Sequence, residues 1–157
     1  MKKIVHLYWQ EACATGVPDM ALALNLYLPV AVIEEGVREP ERQAFDTAGG
    51  VYDAAYLLRG FPERALSIWL IREDISYPGH DFLFGAASRN AAVVSAFRTG
   101  FGENLHKEAC HELGHLLGLA HCENPCFMRA SPNLKRLEAK PLSLCPECYS
   151  RLEKSST

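Results

Sequence analysis

The chain has no apolar run long enough to span a bilayer, and no repeat, low-complexity tract or clear linker. It also lacks a strong charge of either sign. Sixteen Lys and Arg against nineteen Asp and Glu leave −3 at pH 7, which gives no electrostatic case for nucleic acid or an acidic membrane surface. The start, Met1-Lys2-Lys3-Ile4-Val5-His6, has two lysines but no signal-like run, because His6, Gln10 and Glu11 interrupt it. Without an export signal the expectation is a cytoplasmic protein, with a monomer favoured although no residue pattern decides it. What is present is an ordinary globular composition, 48% apolar and 22% charged, in a length that favours one compact domain.

Strand and helix signals alternate in the first half. Ile4 to Tyr8 is β-rich. Pro18 opens a helix over Asp19 to Tyr27, and Pro29 stops it before a short strand, Val30 to Ile33. Glu34 to Gln43 is charged and predicts a loop. Tyr52 to Leu58 predicts a helix ending at Gly60; Leu66 to Ile71 predicts a strand. A turn at Tyr77-Pro78-Gly79-His80 precedes the apolar run Phe82-Leu83-Phe84, Ala92 to Phe97 predicts a further strand, and Glu103 to Leu117 a helix. The alternation implies an α/β (α+β) fold, a mixed β-sheet packed with helices. The expected layout is one domain over residues 1–157: an α/β body to about residue 121 and a small cysteine-rich C-terminal subdomain over 122–157.

The helix at 103–117 carries the decisive chemistry. At about 100° per residue, His111 and His115 project from nearly one face, a turn apart. Glu112 lies on the adjoining flank, where it can address a water on a metal without ligating the ion. A continuing helix would carry His121 to another face and about 9 Å along the axis. The chain must therefore turn, and Gly118 is the residue that can turn it. Three histidines leave the fourth position of a tetrahedral zinc open, the mark of a catalytic site. The bland reading makes His111 and His115 incidental members of an amphipathic helix with Leu113, Leu116 and Leu117. The glycine and third histidine, both in register, favour the metal.

Six cysteines raise the question of disulfides. Four of them, Cys122, Cys126, Cys145 and Cys148, form two pairs near the C-terminus, and in a reducing compartment such pairs read as metal ligands. Four thiolates close a zinc shell, so this second ion is structural. Cys13 and Cys110 fall outside the pattern and read as small buried side chains.

The segment from His111 to His121 is the extended metzincin signature. With Cys122, Cys126, Met128, Cys145 and Cys148 directly behind it, the chain resembles the archaemetzincins, metzincin-like zinc metallopeptidases. Tyr77 to Gly85 and Lys107-Glu108-Ala109 also look like family segments. The resemblance implies two zinc ions per chain, a catalytic one on His111, His115 and His121 and a structural one on the four cysteines. It implies Glu112 as general base and Met128 as the methionine of a Met-turn, an apolar floor under the catalytic zinc. Three residues separate Cys122 from Cys126 where the family pattern has four. In metzincin-like enzymes an edge strand above the active-site helix pairs with an extended substrate, here either Phe82 to Phe84 or Val93 to Phe97.

The function expected is therefore zinc-dependent hydrolysis of peptide bonds in a peptide or protein substrate, by zinc-bound water that Glu112 deprotonates. Two rivals use the same residues: a zinc-stabilised peptide-binding or regulatory module with little peptidase activity, and hydrolysis of a non-peptide amide. Tyr77 and Tyr149 are candidates to stabilise an oxyanion, without a motif to choose them.

Overall fold

A computed structural model describes residues 2–155. β1 (Lys3–Trp9), α1 (Val17–Tyr27) and β2 (Val30–Val37) open the chain, with Pro18 in the first turn of α1. β3 (Phe45–Asp46), β4 (Val51–Asp53) and α2 (Ala54–Leu57) lead to β5 (Leu66–Ile71). β6 (Ile75–Tyr77) and β7 (His80–Leu83) form a hairpin about Pro78-Gly79, followed by β8 (Gly85–Ser88) and β9 (Ala91–Ser95). The remaining regular elements are helices: α3 (Ala96–Thr99), α4 (Glu103–Leu116), α5 (Leu134–Ala139) and α6 (Pro146–Ser155).

The mixed α/β expectation holds, with two sheets rather than one. The larger has the order β2-β1-β5-β9-β8, parallel except for β8, which runs antiparallel on β9 at the edge. The smaller has the order β3-β4-β6-β7. Three local expectations need correction. Residues 34–37 extend β2 rather than looping out, because the parallel pairing with β1 continues past a bulge to Val37. The helix expected over Tyr52–Leu58 shrinks to α2, since Tyr52 and Asp53 are drawn into pairing with β6. The Asp53 carboxylate then caps α2 by accepting from the Ala55 N–H at 2.9 Å. The strand expected to reach Phe97 stops at Ser95, whose Oγ accepts from the Phe97 N–H and starts α3.

β5 is apolar on both faces because both are covered. Ile68 and Leu70 join Val5, Leu7, Ala92 and Val94 under α1 and α4, whose Met20, Leu24, Leu105 and Leu113 complete the main core. Trp69 and Ile71 face the other way, onto Leu57, Leu58 and Phe61. The main core runs on into the tail through Phe127, Met128 and Leu152. Cys13 and Cys110 are both fully buried in it, and burial pushes their thiols up to about 11 and about 12. α4 packs across β8 and β9, so the histidine helix lies beside the free edge of the larger sheet.

Candidate metal centres

α4 ends where the third histidine requires it to. Gly118 has φ +99°, its N–H donates to the His115 carbonyl at 3.0 Å, and the Leu119 N–H donates to the Gly114 carbonyl at 2.9 Å. This is a Schellman stop. It returns the chain so that the imidazole of His121 stacks 5.3 Å from that of His111 and lies 4.9 Å from that of His115. Nitrogens of the three rings all lie within 4.8 Å of one another.

Backbone carbonyls orient two of the rings. His111 Nδ1 lies 2.8 Å from the Phe127 oxygen, and His115 Nδ1 lies 2.8 Å from the Leu119 oxygen. A carbonyl only accepts, so each Nδ1 carries the proton and each Nε2 presents a lone pair. The two Nε2 atoms stand 3.1 Å apart. Bare lone pairs at that distance repel unless a cation lies between them, and a tetrahedral zinc with bonds of about 2.0 Å spaces its nitrogens by about 3.3 Å. Burial holds His111 neutral, at about 3, with the Lys140 ammonium adding to the effect; burial also lowers His115. His111 is buried, His115 half-buried and His121 exposed, so the cluster opens to solvent on one side.

Glu112 is buried, with Oε1 3.9 Å from His111 Nε2. Burial first and the neighbouring Glu108 second raise its carboxyl well above the ordinary range. It lines two cavities that flank the histidines. One, of about 390 Å³, also involves His80, Phe82, Phe84, His111 and His121. The other, of about 290 Å³, runs along Gly85, Ala86 and Ala87 of β8 and includes Tyr77 and His115. Tyr77 thus stands at the cleft, whereas Tyr149 is exposed on α6 and lines neither cavity. β9 is paired on both sides, by β5 and β8, so Val93 to Phe97 offers no edge for a substrate. The free edges beside the site belong to β8 and to β7, which holds Phe82.

Met128 is fully buried against α4, in space that Gly114 leaves open: a Cβ at residue 114 would collide with its sulfur. Behind it, all four tail cysteines are buried with their sulfurs within 4.8 Å of one another, so the short gap between Cys122 and Cys126 still lets them converge. Cys122 and Cys145 Sγ are 3.7 Å apart, against about 3.8 Å for the edge of a zinc tetrahedron with bonds of about 2.3 Å. Backbone N–H groups point at the sulfurs: Met128 and Cys145 at Cys126, Asn124 at Cys122, and Cys148 at Cys145, over 3.3–3.5 Å. Burial raises the Cys145 thiol, but the donors from Cys148 and Asn124 outweigh it and bring it to about 6. The Cys122 N–H donates to the Met128 carbonyl at 3.1 Å and closes the loop between the two clusters.

Sequence reasoning missed three contributors. Glu108 and Lys140 are buried beside Glu112, and Gly85 of β8 packs against both carboxyl side chains. Glu108 lies four residues before Glu112, a spacing that would have flagged it; nothing in the sequence marks Lys140. Among the described residues, no helix is long and apolar enough to cross a membrane.

The chain resembles known proteins in sequence and in overall fold. Residues 67–154 match the family described as Peptidase family M54. Over 156 residues the chain is 31% identical to the archaemetzincin of Archaeoglobus fulgidus, covering 94% of this chain and 93% of that one. A crystal structure of archaemetzincin from Archaeoglobus fulgidus, complexed with malonate, is similar with a TM-score of 0.88 at 29% identity, covering 94% of this chain and 99% of that one. The archaemetzincin structure from Methanopyrus kandleri gives 0.85 at 26% identity, over 99% and 96% of the two chains.

Proposed function

The chain belongs to peptidase family M54, the archaemetzincins, and is a zinc metallopeptidase; from that premise we propose that His111, His115 and His121 hold the catalytic zinc and that Glu112 is the general base of peptide-bond hydrolysis. The donor chemistry supports the assignment. Two facing Nε2 lone pairs, each enforced by a carbonyl on the far side of its ring, need a cation between them. A zinc ion on three neutral imidazoles supplies Lewis acidity, polarising a peptide carbonyl and lowering the pKa of water. Glu112 accepts the proton of the attacking water and delivers it to the amine nitrogen as the C–N bond breaks. Burial serves this role, because a carboxyl with a raised pKa takes up a proton more readily at neutral pH.

Cys122, Cys126, Cys145 and Cys148 hold a second, structural zinc in this reading. Its support is four buried, converging sulfurs, three of which accept backbone N–H bonds of the kind that stabilise a thiolate. The body and the cysteine tail then act as one domain through their shared core. An extended peptide lies along the β8 edge, where the cavity beside Gly85, Ala86 and Ala87 meets Glu112 and His115.

The single observation that carries the proposal is the convergence of three imidazoles beside a buried, solvent-facing carboxyl. Its test is Glu112→Ala: zinc content stays at the wild-type value while cleavage of a peptide library falls by at least about 10²-fold. Unchanged turnover removes Glu112 from the mechanism. Wild-type protein that binds library peptides stably without cutting them favours a binding module instead. Elemental analysis should find two zinc ions per chain; one ion, with four tail cysteines alkylated readily in the native state, contradicts the second site.

A further inference from the structure

Two carboxyls a turn apart on one helix face repel each other and weaken the helix. α4 nevertheless buries such a pair, Glu108 at 5% exposure and Glu112 at 6%. The pair is confined from both sides. A Cβ on Gly85 would stand 3.0 Å from Glu108 Oε1, 3.0 Å from Glu112 Cγ and 3.1 Å from Glu108 Cγ, so the backbone of β8 sits directly against both side chains. The buried ammonium of Lys140, held by the Arg129 carbonyl at 2.9 Å, attracts both carboxyls from the tail side. The two glutamates interact directly, and burial pushes Glu108 up to about 7. No step of the hydrolysis uses Glu108.

A glutamate has three rotatable bonds, and a base must present its oxygen to a fixed point. Glu112 Oε1 does so, 3.9 Å from His111 Nε2. We propose that Glu108 is a positioning residue: packed against Gly85 and drawn electrostatically toward Lys140, it fixes the rotamer in which Glu112 faces the histidines. The inference rests on the reading of Glu112 as base, but its geometric content stands apart from turnover. A purely structural carboxyl at 108 would steady α4 without fixing where Glu112 points. A second proton carrier there would fail once its carboxyl became an amide.

The test compares zinc-loaded wild type, Glu108→Met and Glu108→Gln, with crystal structures of each and steady-state kinetics on an internally quenched peptide library. Methionine fills the space without a polar group; glutamine keeps both the shape and the capacity to hydrogen-bond Glu112. Glu108→Met keeps its zinc, loses about 10–100-fold in kcat at nearly constant KM, and shows the Glu112 carboxylate turned away from His111. Glu108→Gln restores kcat to within a few-fold and leaves Glu112 in place. Gly85→Ala, which crowds both carboxyls without removing either, shifts Glu112 and lowers kcat, and serves if Glu108→Met folds poorly. The proposal is overturned by an unmoved Glu112 in both Glu108→Met and Gly85→Ala, or by Glu108→Gln as impaired as Glu108→Met. A wild-type enzyme that cuts no peptide defeats the peptidase mechanism instead, and the Glu112 rotamers still decide the positioning role.

Discussion

The two ligand clusters share a junction, His121 followed by Cys122, and differ in nearly everything else. The histidine cluster grades from buried His111 through half-buried His115 to exposed His121, and cavities flank it. The cysteine cluster is buried on all four members and ringed by backbone donors. The first set comes from a helix and its Schellman turn, elements held by their own backbone hydrogen bonds. In the second set Cys122, Cys126 and Cys145 lie outside regular elements, and only Cys148 sits in a helix, in the first turn of α6. An open site on a self-supporting scaffold can exchange water and substrate, whereas a closed site in loops has to supply its own scaffold. On the proposed assignment the two ions would have unequal jobs even though their ligands adjoin.

The sharpest way to break this comparison is to remove one ligand from each set. Cys148→Ser should cost the tail its fold, on the scale of several kcal/mol because metal binding there is folding free energy. Chemical denaturation and the loss of ordered amide signals over residues 122–155 would register it. His121→Ala should lose activity and weaken catalytic zinc while keeping a cooperative unfolding transition near the wild-type midpoint. Equal destabilisation by the two substitutions would mean that the clusters are one structural unit. The next largest effect concerns the charge between them. Lys140 lies within electrostatic reach of Glu108, Glu112 and Cys126. Lys140→Met leaves two buried carboxyls without a cation and should destabilise the protein by about 3–5 kcal/mol, measured by urea unfolding.

Sequence legibility followed the same divide. His111, Glu112 and His115 could be read from helical periodicity alone, and Gly118 announced the turn that brings in His121. The four cysteines were legible as a set because their pairs are short-range in the chain. What could not be read depends on long-range pairing. β8 is short, and its residues Gly85 to Ser88 show no strand pattern until they pair with β9. Tyr52 reads as helical until β6 claims it. Lys140 has no local signature, because its role comes from a helix some thirty residues away. Gly114 looks like an ordinary member of the motif, and only the packed Met128 sulfur shows why no side chain fits.

The smallest expected effect tests the junction itself. Gly118 has φ +99°, a conformation that strains any residue with a Cβ, although nothing lies within 4 Å of where that Cβ would be. Gly118→Ala therefore costs backbone strain without a collision, about 1–2 kcal/mol. The strain is relieved by opening the turn, which moves Leu119 and, with it, the carbonyl that orients His115. His121 and Cys122 follow on the same short segment. If the clusters are coupled through this turn, chelator titration of Gly118→Ala should show both zinc ions released earlier than in wild type, the catalytic ion by the larger factor. If only the catalytic ion loosens, the Cys122 N–H bond to Met128 isolates the cysteine cluster from the helix end. The two clusters would then be neighbours in sequence that are anchored independently.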